Sequence, residues 1–251
     1  GVAMIRGEEP ALGTPEPPRY GSDAPWMGEV VIQAKHLLVW LTQLSQRYGT
    51  PIRRLDEIPD EELQLLAQRG VSALWPIGIW RRSAASRAMK VSAGDLDAEG
   101  SAYAVAEYVV DEGLGGDAAL ATLRTRAGAV GIRIVSDMVP NHVAIDGRWV
   151  NERSELLLSS AHPPFPKYRY SGENLSGEPG SAIRIEDGYE RGDDAAVAFE
   201  RRATDALQYI YHGNDGTNMP WKDTAQIDYL NAEAREAVIQ EILSVARRSD
   251  I

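Results

Sequence analysis

Residues 131–143 read GIRIVSDMVPNHV, and the class of fold follows from this stretch. Its apolar run, residues 132–139, lacks the alternation of polar and apolar side chains that marks a half-exposed strand. Such a run is typical of a parallel strand buried on both faces. A helix is predicted before it, because Asp117 can cap a segment of helical apolar spacing that Gly131 ends.

The same order of helix, glycine and apolar run occurs earlier in the chain. Pro59 and Asp60 open a helix, Gly70 ends it, and the run VSALWPI follows at residues 71–77. Repetition of helix and strand is typical of β/α units and predicts a doubly wound sheet or a (β/α)8 barrel. We therefore expect residues 71–77 and 132–139 to be adjacent parallel strands.

The flanking segments have weaker patterns. Five prolines predict an irregular lead-in over residues 1–28, before a strand at residues 30–34 and a helix ending near Tyr48. Residues 143–222 are too long for an ordinary loop, which favours a functional insertion or small subdomain over a plain surface excursion. A last helix begins at the N-cap Asn231. Its apolar stripe, which we expect to be buried, is formed by Val238, Ile239, Ile242, Leu243 and Ala246.

Composition excludes several classes of protein. The chain has 251 residues, no cysteine and a formal net charge of -11. Without cysteine there is neither a disulfide framework nor a cysteine-ligated zinc site. The acidic balance argues against nucleic acid or an anionic membrane as the main partner. No run approaches the ~20 apolar residues of a membrane span, and the first residues lack the apolar core of a signal peptide, so we expect a cytoplasmic protein.

Three polar side chains follow the apolar run of the opening stretch. Asp137, Asn141 and His142 lie at its carboxyl end, which faces the ligand in β/α folds. A carboxylate, an amide and an imidazole suit either a polyhydroxylated ligand or a metal bound through oxygen. The alternative is a plain Pro-Asn turn with a solvated histidine.

Aromatic side chains elsewhere leave alternatives open. Trp75 is expected in the core, and Trp80 or Arg81 at the rim of a pocket. Trp221 is either a platform for a sugar ring or a buried residue of the 143–222 segment. The polar stretch at residues 212–218 is interpreted as a turn rather than a calcium or sugar site.

Four segments together resemble the α-amylase family of glycoside hydrolases. The residues DMVPNH at 137–142 match that family's D-x-x-x-N-H block, and residues 70–77, 101–127 and 224–243 are similar to further segments in the same order. The resemblance covers about residues 55–251. It implies a partial (β/α)8 TIM barrel, the first three to four β/α units, with an irregular subdomain inserted after the third strand.

On this resemblance the chain divides into four parts. Residues 1–28 are the lead-in, 29–142 the first barrel units and 143–222 the inserted subdomain. Residues 223–251 return to the barrel as the third helix and the start of the fourth strand.

The resemblance also implies roles for individual residues. Tyr103 would stack beneath a sugar ring, Asp137 would organise the cleavage subsite, and His142 would contact the sugar. Asn141 corresponds to a residue that binds calcium in many members. The nucleophile and the acid/base carboxylate belong to later strands and are expected beyond Ile251, so no catalytic residue is assigned and this chain alone is expected to be inactive.

The implied function is that of the N-terminal part of a retaining glycosidase acting on α-linked glucans in carbohydrate metabolism. Its partner would be an α-glucan or oligosaccharide, with no cofactor required apart from calcium in some members. The alternatives are a glucanotransferase or sugar isomerase of the same family, and a glucan-binding protein without turnover.

Overall fold

The computed structural model describes residues 27–189, 196–203, 206–216 and 219–251. Most of the predicted lead-in therefore lies outside the described residues. The chain divides into two compact units, Gly1–Val30 and Val31–Ile251. In the first unit the described residues form a short 3-10 turn, Met27–Glu29.

The described part of the second unit contains eleven strands and six α-helices. The strands are β1 (Ile32–His36), β2 (Ala73–Ile77), β3 (Trp80–Arg82), β4 (Val105–Val110), β5 (Arg133–Ile134), β6 (His142–Ala144), β7 (Ser159–Ser160), β8 (Ala182–Arg184), β9 (Ala198–Ala203), β10 (Ala206–Tyr211) and β11 (Thr224–Gln226). The helices are α1 (Leu37–Tyr48), α2 (Asp60–Gln68), α3 (Ala84–Ser92), α4 (Gly116–Ala129), α5 (Arg148–Glu152) and α6 (Ala232–Arg248).

A three-stranded parallel sheet in the order β1-β2-β5 organises the molecule. Ala73 of β2 lies opposite Ile32 on one side and Arg133 on the other. This confirms the prediction of adjacent parallel strands, although the regular pairing of β5 covers two residues only. Beyond β5, the backbone N–H groups of Asp250 and Ile251 donate to the carbonyl of Ile134, so the last residues lie alongside this strand.

Helices α1, α2 and α4 bury their apolar faces in one cluster against this sheet. Leu37, Leu63, Leu74 and Leu120 are each at most 2% exposed. Asp117 is not the N-cap of α4: Gly115, with φ 95°, occupies that position. Asp117 lies in the first turn instead, where its negative charge still favours the positive end of the helix.

Helix α6 contradicts part of its prediction. Asn231 is its N-cap, and the side chain accepts a hydrogen bond from the backbone of Glu233 at 2.9 Å. Val238 is buried as expected, but Ile239 and Ile242 are 49% and 43% exposed. Apolar spacing marks a face that can be buried, whereas burial also requires a neighbour, and the described residues do not cover this face.

The segment after β6 is not irregular, contrary to the sequence-based expectation. It contains a four-stranded antiparallel sheet in the order β7-β10-β9-β8, which packs on a second apolar cluster that includes Phe199 and Ile210. Strands β6 and β11 pair antiparallel at the two ends of the segment, with Gln226 opposite His142. Its strands are only two to six residues long, so their alternation is hidden among prolines and glycines.

Among the described helices, none combines the length and the apolar character that crossing a membrane requires.

Candidate functional site

Asp137 follows β5, and the buried side chain of Trp80 hydrogen-bonds to its backbone. The indole Nε1 of Trp80 donates to the backbone carbonyl of Asp137 at 2.9 Å. Trp80 is 1% exposed and packs edge-on against Tyr108, so it is a core residue and not the pocket rim that the sequence suggested. Arg81 is exposed and pairs with Glu107 at 2.7 Å.

The Asp137 carboxyl group is half-buried beside this tryptophan. Its Oδ2 atom is shielded from solvent and has no hydrogen-bond partner among the described residues. Burial raises the pKa of this carboxyl group above its usual range, because removal from water disfavours the charged form. A buried acceptor without a donor is costly, so Asp137 is suited to receive a hydrogen bond from a ligand hydroxyl.

The imidazole of His142 is buried, and both of its nitrogens have partners. Nε2 lies 3.1 Å from the backbone carbonyl of Tyr103, and Nδ1 lies 3.3 Å from the side-chain nitrogen of Asn141. A carbonyl only accepts, so Nε2 carries the proton and Nδ1 accepts from the amide. Burial lowers the pKa of His142, and the ring is neutral near pH 7.

Tyr103 is the exposed member of this group, with 43% of the residue accessible. Burial of its hydroxyl end and the charge of Asp137 both raise the pKa of the phenol. The backbone of Tyr103 therefore fixes the His142 ring, while its own ring offers a face to solvent. An exposed aromatic face can pack on the apolar face of a pyranose.

Trp221 joins the same group from the far end of the inserted segment. Its ring lies 5.1 Å from that of His142, and the residue is 37% exposed. Trp221 is therefore not the buried residue that was one of its two predicted alternatives. The sequence could not pair these residues, because 79 positions separate them.

A second histidine, His212, lies deeper in the inserted segment and was assigned to a polar turn. It is 3% exposed, and its ring packs 5.2 Å from Phe199. Nδ1 lies 3.1 Å from the carbonyl of Thr224, whereas Nε2 has no partner among the described residues. Burial lowers the pKa of His212 to about 4.

Both oxygens of Asn141, the residue predicted to bind calcium, lie beside the side chain of Gln226. The side chain of Gln226 donates to the backbone carbonyl of Asn141 at 2.9 Å and lies 3.3 Å from its Oδ1. Within the described ranges, no three His, Asp or Glu side chains are grouped so that they could hold a metal. Calcium takes about six to eight oxygen ligands, more than these residues provide. Calcium binding by Asn141 stays a prediction.

Aromatic rings and two carboxylates meet in this arrangement. Tyr103, His142 and Trp221 lie together, and Asp137 is close enough to act electrostatically on Tyr103. Asp223 acts in the same way on His142, and it already accepts a hydrogen bond from the Ser86 hydroxyl at 2.6 Å. Retaining glycoside cleavage uses two carboxyl groups that face each other at about 5–5.5 Å, and neither of these is assigned as the attacking or the protonating group.

Comparison with known proteins finds solved structures with a similar fold. No protein-family model matches the sequence, and no curated protein is similar to it. Among solved structures, a family GH13_31 enzyme matches with a TM-score of 0.55 at 16% identity, covering 89% of this chain and 35% of its own. The trehalose-6-phosphate hydrolase of Bacillus licheniformis matches with a TM-score of 0.54 at 16% identity, covering 89% and 34%.

The likeness concerns the fold. A maltogenic α-amylase from Thermotoga neapolitana is also similar, with a TM-score of 0.48 at 18% identity over 86% of this chain. This chain spans about a third of the length of the solved structures that it matches. The resemblance to the α-amylase family that the motifs predicted is thus confirmed at the level of the fold.

Proposed function

We propose that this chain is the N-terminal part of the catalytic domain of an α-amylase-like glycosidase acting on α-linked glucans. The observation that carries the proposal is the position of the inserted segment. It follows the third parallel strand, β5, and the D-x-x-x-N-H residues 137–142 lie between that strand and the segment. The shared fold with two enzymes of known structure supports the same conclusion.

In this proposal the described group forms one wall of the sugar-binding cleft. The ring of Tyr103 packs on the sugar, and the unpartnered Oδ2 of Asp137 accepts a hydrogen bond from a hydroxyl group. His142 contacts the sugar only if its Nε2 exchanges the Tyr103 carbonyl for a hydroxyl group. Trp221 adds a second aromatic surface next to the histidine.

Bond cleavage would require residues that follow Ile251. A carboxylate attacks the anomeric carbon and forms a glycosyl-enzyme, while a second carboxyl group protonates the departing oxygen and then activates water. Hydrolysis and transfer share these steps and differ in whether water or another sugar completes the second one. A glucanotransferase or isomerase therefore remains an alternative within the family.

A glucan-binding protein without turnover is the second candidate function. It is favoured by the exposed aromatic rings of Tyr103 and Trp221, since binding needs aromatic faces and hydroxyl partners but not a catalytic pair.

The test uses the protein encoded by the whole reading frame that contains this chain. Release of reducing ends from maltoheptaose is measured for that protein, for Tyr103→Ala and for Phe165→Ala. Phe165 is a matched control, because it is an aromatic residue of the inserted segment that is 48% exposed. Loss of a stacking face costs about 1–2 kcal/mol, so Tyr103→Ala should lower kcat/KM by roughly five- to thirty-fold.

Two results would count against the proposal. Equal activities of Tyr103→Ala and Phe165→Ala would remove Tyr103 from the sugar site. Binding of maltoheptaose with no release of reducing ends by the whole protein would replace the glycosidase with the glucan-binding protein.

A further inference from the structure

A cavity of about 570 Å³ lies outside the group just described. Strand β9 contributes Arg201 and Ala203, helix α5 contributes Asn151 and Glu152, and Ser181 lies just before β8. Strand β4 contributes Ala106 and Glu107. Neither Tyr103, Asp137, His142 nor Trp221 lines this cavity. A volume of this size lies within the range of about 300–1,000 Å³ that is usual for small-molecule sites.

Arg201 is the unusual residue of this wall. It is 8% exposed, and the described residues provide no carboxylate within ion-pairing distance of it. Its terminal nitrogens donate to the side chain of Gln208 at 3.1 Å and to the carbonyl of Asn151 at 2.9 Å. Its Nε has no partner within the described part of the chain. A buried guanidinium group without a counter-charge is costly unless each N–H finds an acceptor.

Two further lining residues leave polar atoms unsatisfied. The Oδ1 of Asn151 and the Oγ of Ser181 are shielded and have no hydrogen-bond partner among the described residues. Three unsatisfied atoms from three separate elements thus lie behind one cavity wall. Rotation of the Ser181 hydroxyl about χ1 is sufficient to turn it towards a bound molecule. These atoms are one N–H donor, one amide acceptor and one hydroxyl group. The vicinal hydroxyl groups of a sugar can both donate and accept, so they match such a set.

The charge around the cavity selects against ionic ligands. Three guanidinium groups, of Arg81, Arg148 and Arg201, line it together with four carboxylates, of Glu107, Asp146, Glu152 and Glu178. Several of these charges already pair with each other, since Arg81 and Arg148 lie 2.7 Å and 3.2 Å from Glu107. A phosphate would meet four carboxylates, and a cation would meet three guanidinium groups.

We infer that this cavity binds a neutral saccharide unit at a site separate from the Tyr103 group. Rotation of the Arg201, Asn151 and Ser181 side chains would bring their unpaired Nε, Oδ1 and Oγ atoms within reach of the ligand hydroxyl groups. This inference goes beyond the proposed function, because it stands on the cavity and its unsatisfied atoms and requires no turnover.

The experiment titrates this chain with glucose, maltose and cellobiose, and separately with inorganic phosphate, by ligand-observed NMR. Ala203→Trp fills the cavity from a half-exposed strand end and should weaken saccharide binding at least about tenfold. Ser181→Ala removes one hydroxyl group and should weaken it by roughly five- to tenfold. Ser159→Ala is the matched control, since Ser159 is an exposed serine of the same sheet, and should stay within about twofold.

Tyr103→Ala separates this inference from the proposed function. Saccharide binding that survives Tyr103→Ala and is lost in Ala203→Trp supports the second site, whatever the activity of the whole protein. Binding that depends on Tyr103 and ignores Ala203→Trp overturns it. Absence of binding by all three saccharides, or tighter binding of phosphate, overturns it as well.

Discussion

Lowering the pH from about 7.5 to about 5 should destabilise this protein through His212. The ring is 3% exposed and donates only to the carbonyl of Thr224, and burial lowers its pKa to about 4. In the unfolded chain the same ring titrates near pH 6.5. Between these two values the unfolded chain binds more protons than the folded one, so the free energy of unfolding falls as the pH falls.

The size of the effect follows from the two pKa values. At about pH 5 the unfolded ring is largely protonated while the folded ring remains neutral, which removes about 2 kcal/mol from the free energy of unfolding. Below about pH 4 the loss approaches its limit of about 3 kcal/mol. The neighbours of His212 are Asp223, whose charge raises its pKa, and the rings of Phe199 and Tyr189.

The assay compares urea unfolding of the wild type and of His212→Phe at the two pH values. The phenylalanine ring suits a pocket that already holds Phe199, and it does not titrate. All other titrating groups, His142 included, are common to both proteins, so the difference between the two pH-dependent losses isolates His212. We expect the wild type to lose about 2 kcal/mol more than the variant. His162→Phe, at an exposed histidine, should behave like the wild type. Equal losses in wild type and His212→Phe would refute a buried, neutral His212.

Three further outcomes are expected. His142→Ala should lower the free energy of unfolding in urea by about 2–4 kcal/mol, because the residue is 7% exposed and its ring makes two hydrogen bonds. The control, His162→Ala, should change it by less than about 0.5 kcal/mol. This chain alone should release no reducing sugar from starch above a no-enzyme control, and release that persists after contaminating amylase is removed would contradict a catalytic pair beyond Ile251. Trp80→Phe should cost about 1–3 kcal/mol in urea unfolding because it leaves the carbonyl of Asp137 without its donor, and an unchanged midpoint would show that water replaces the indole.

The parallel strands could be predicted because burial on both faces leaves a mark in the sequence. The runs at residues 71–77 and 132–139 are mostly apolar, and Gly70 and Gly131 end the preceding helices with φ of 83° and 82°. These are local signals. The face of α6 around Ile239 shows their limit, since the stripe is present but the described residues leave it exposed.

The candidate site was harder to predict because its contacts are long-range. Asp137 and His142 could be placed at a strand end from their own neighbourhood. The hydrogen bond from His142 to the backbone of Tyr103 spans 39 residues and involves a carbonyl, which every residue carries. The contact with Trp221 depends on how the inserted segment folds back, and short strands in that segment left no periodic pattern to follow.

The pairing of β6 with β11 has a consequence for how this chain can change. Because Gln226 lies opposite His142, the inserted segment begins and ends at neighbouring points, on the paired strands β6 and β11. Changing the length of a segment whose ends already meet costs little additional loop-closure entropy, on the order of 0.6 kcal/mol for each doubling. Residues 145–223 can therefore be replaced as one piece, in evolution or by design, while the register of β1, β2 and β5 is kept. Such an exchange would replace Trp221 and one wall of the cavity together, so ligand preference can be inherited as a unit.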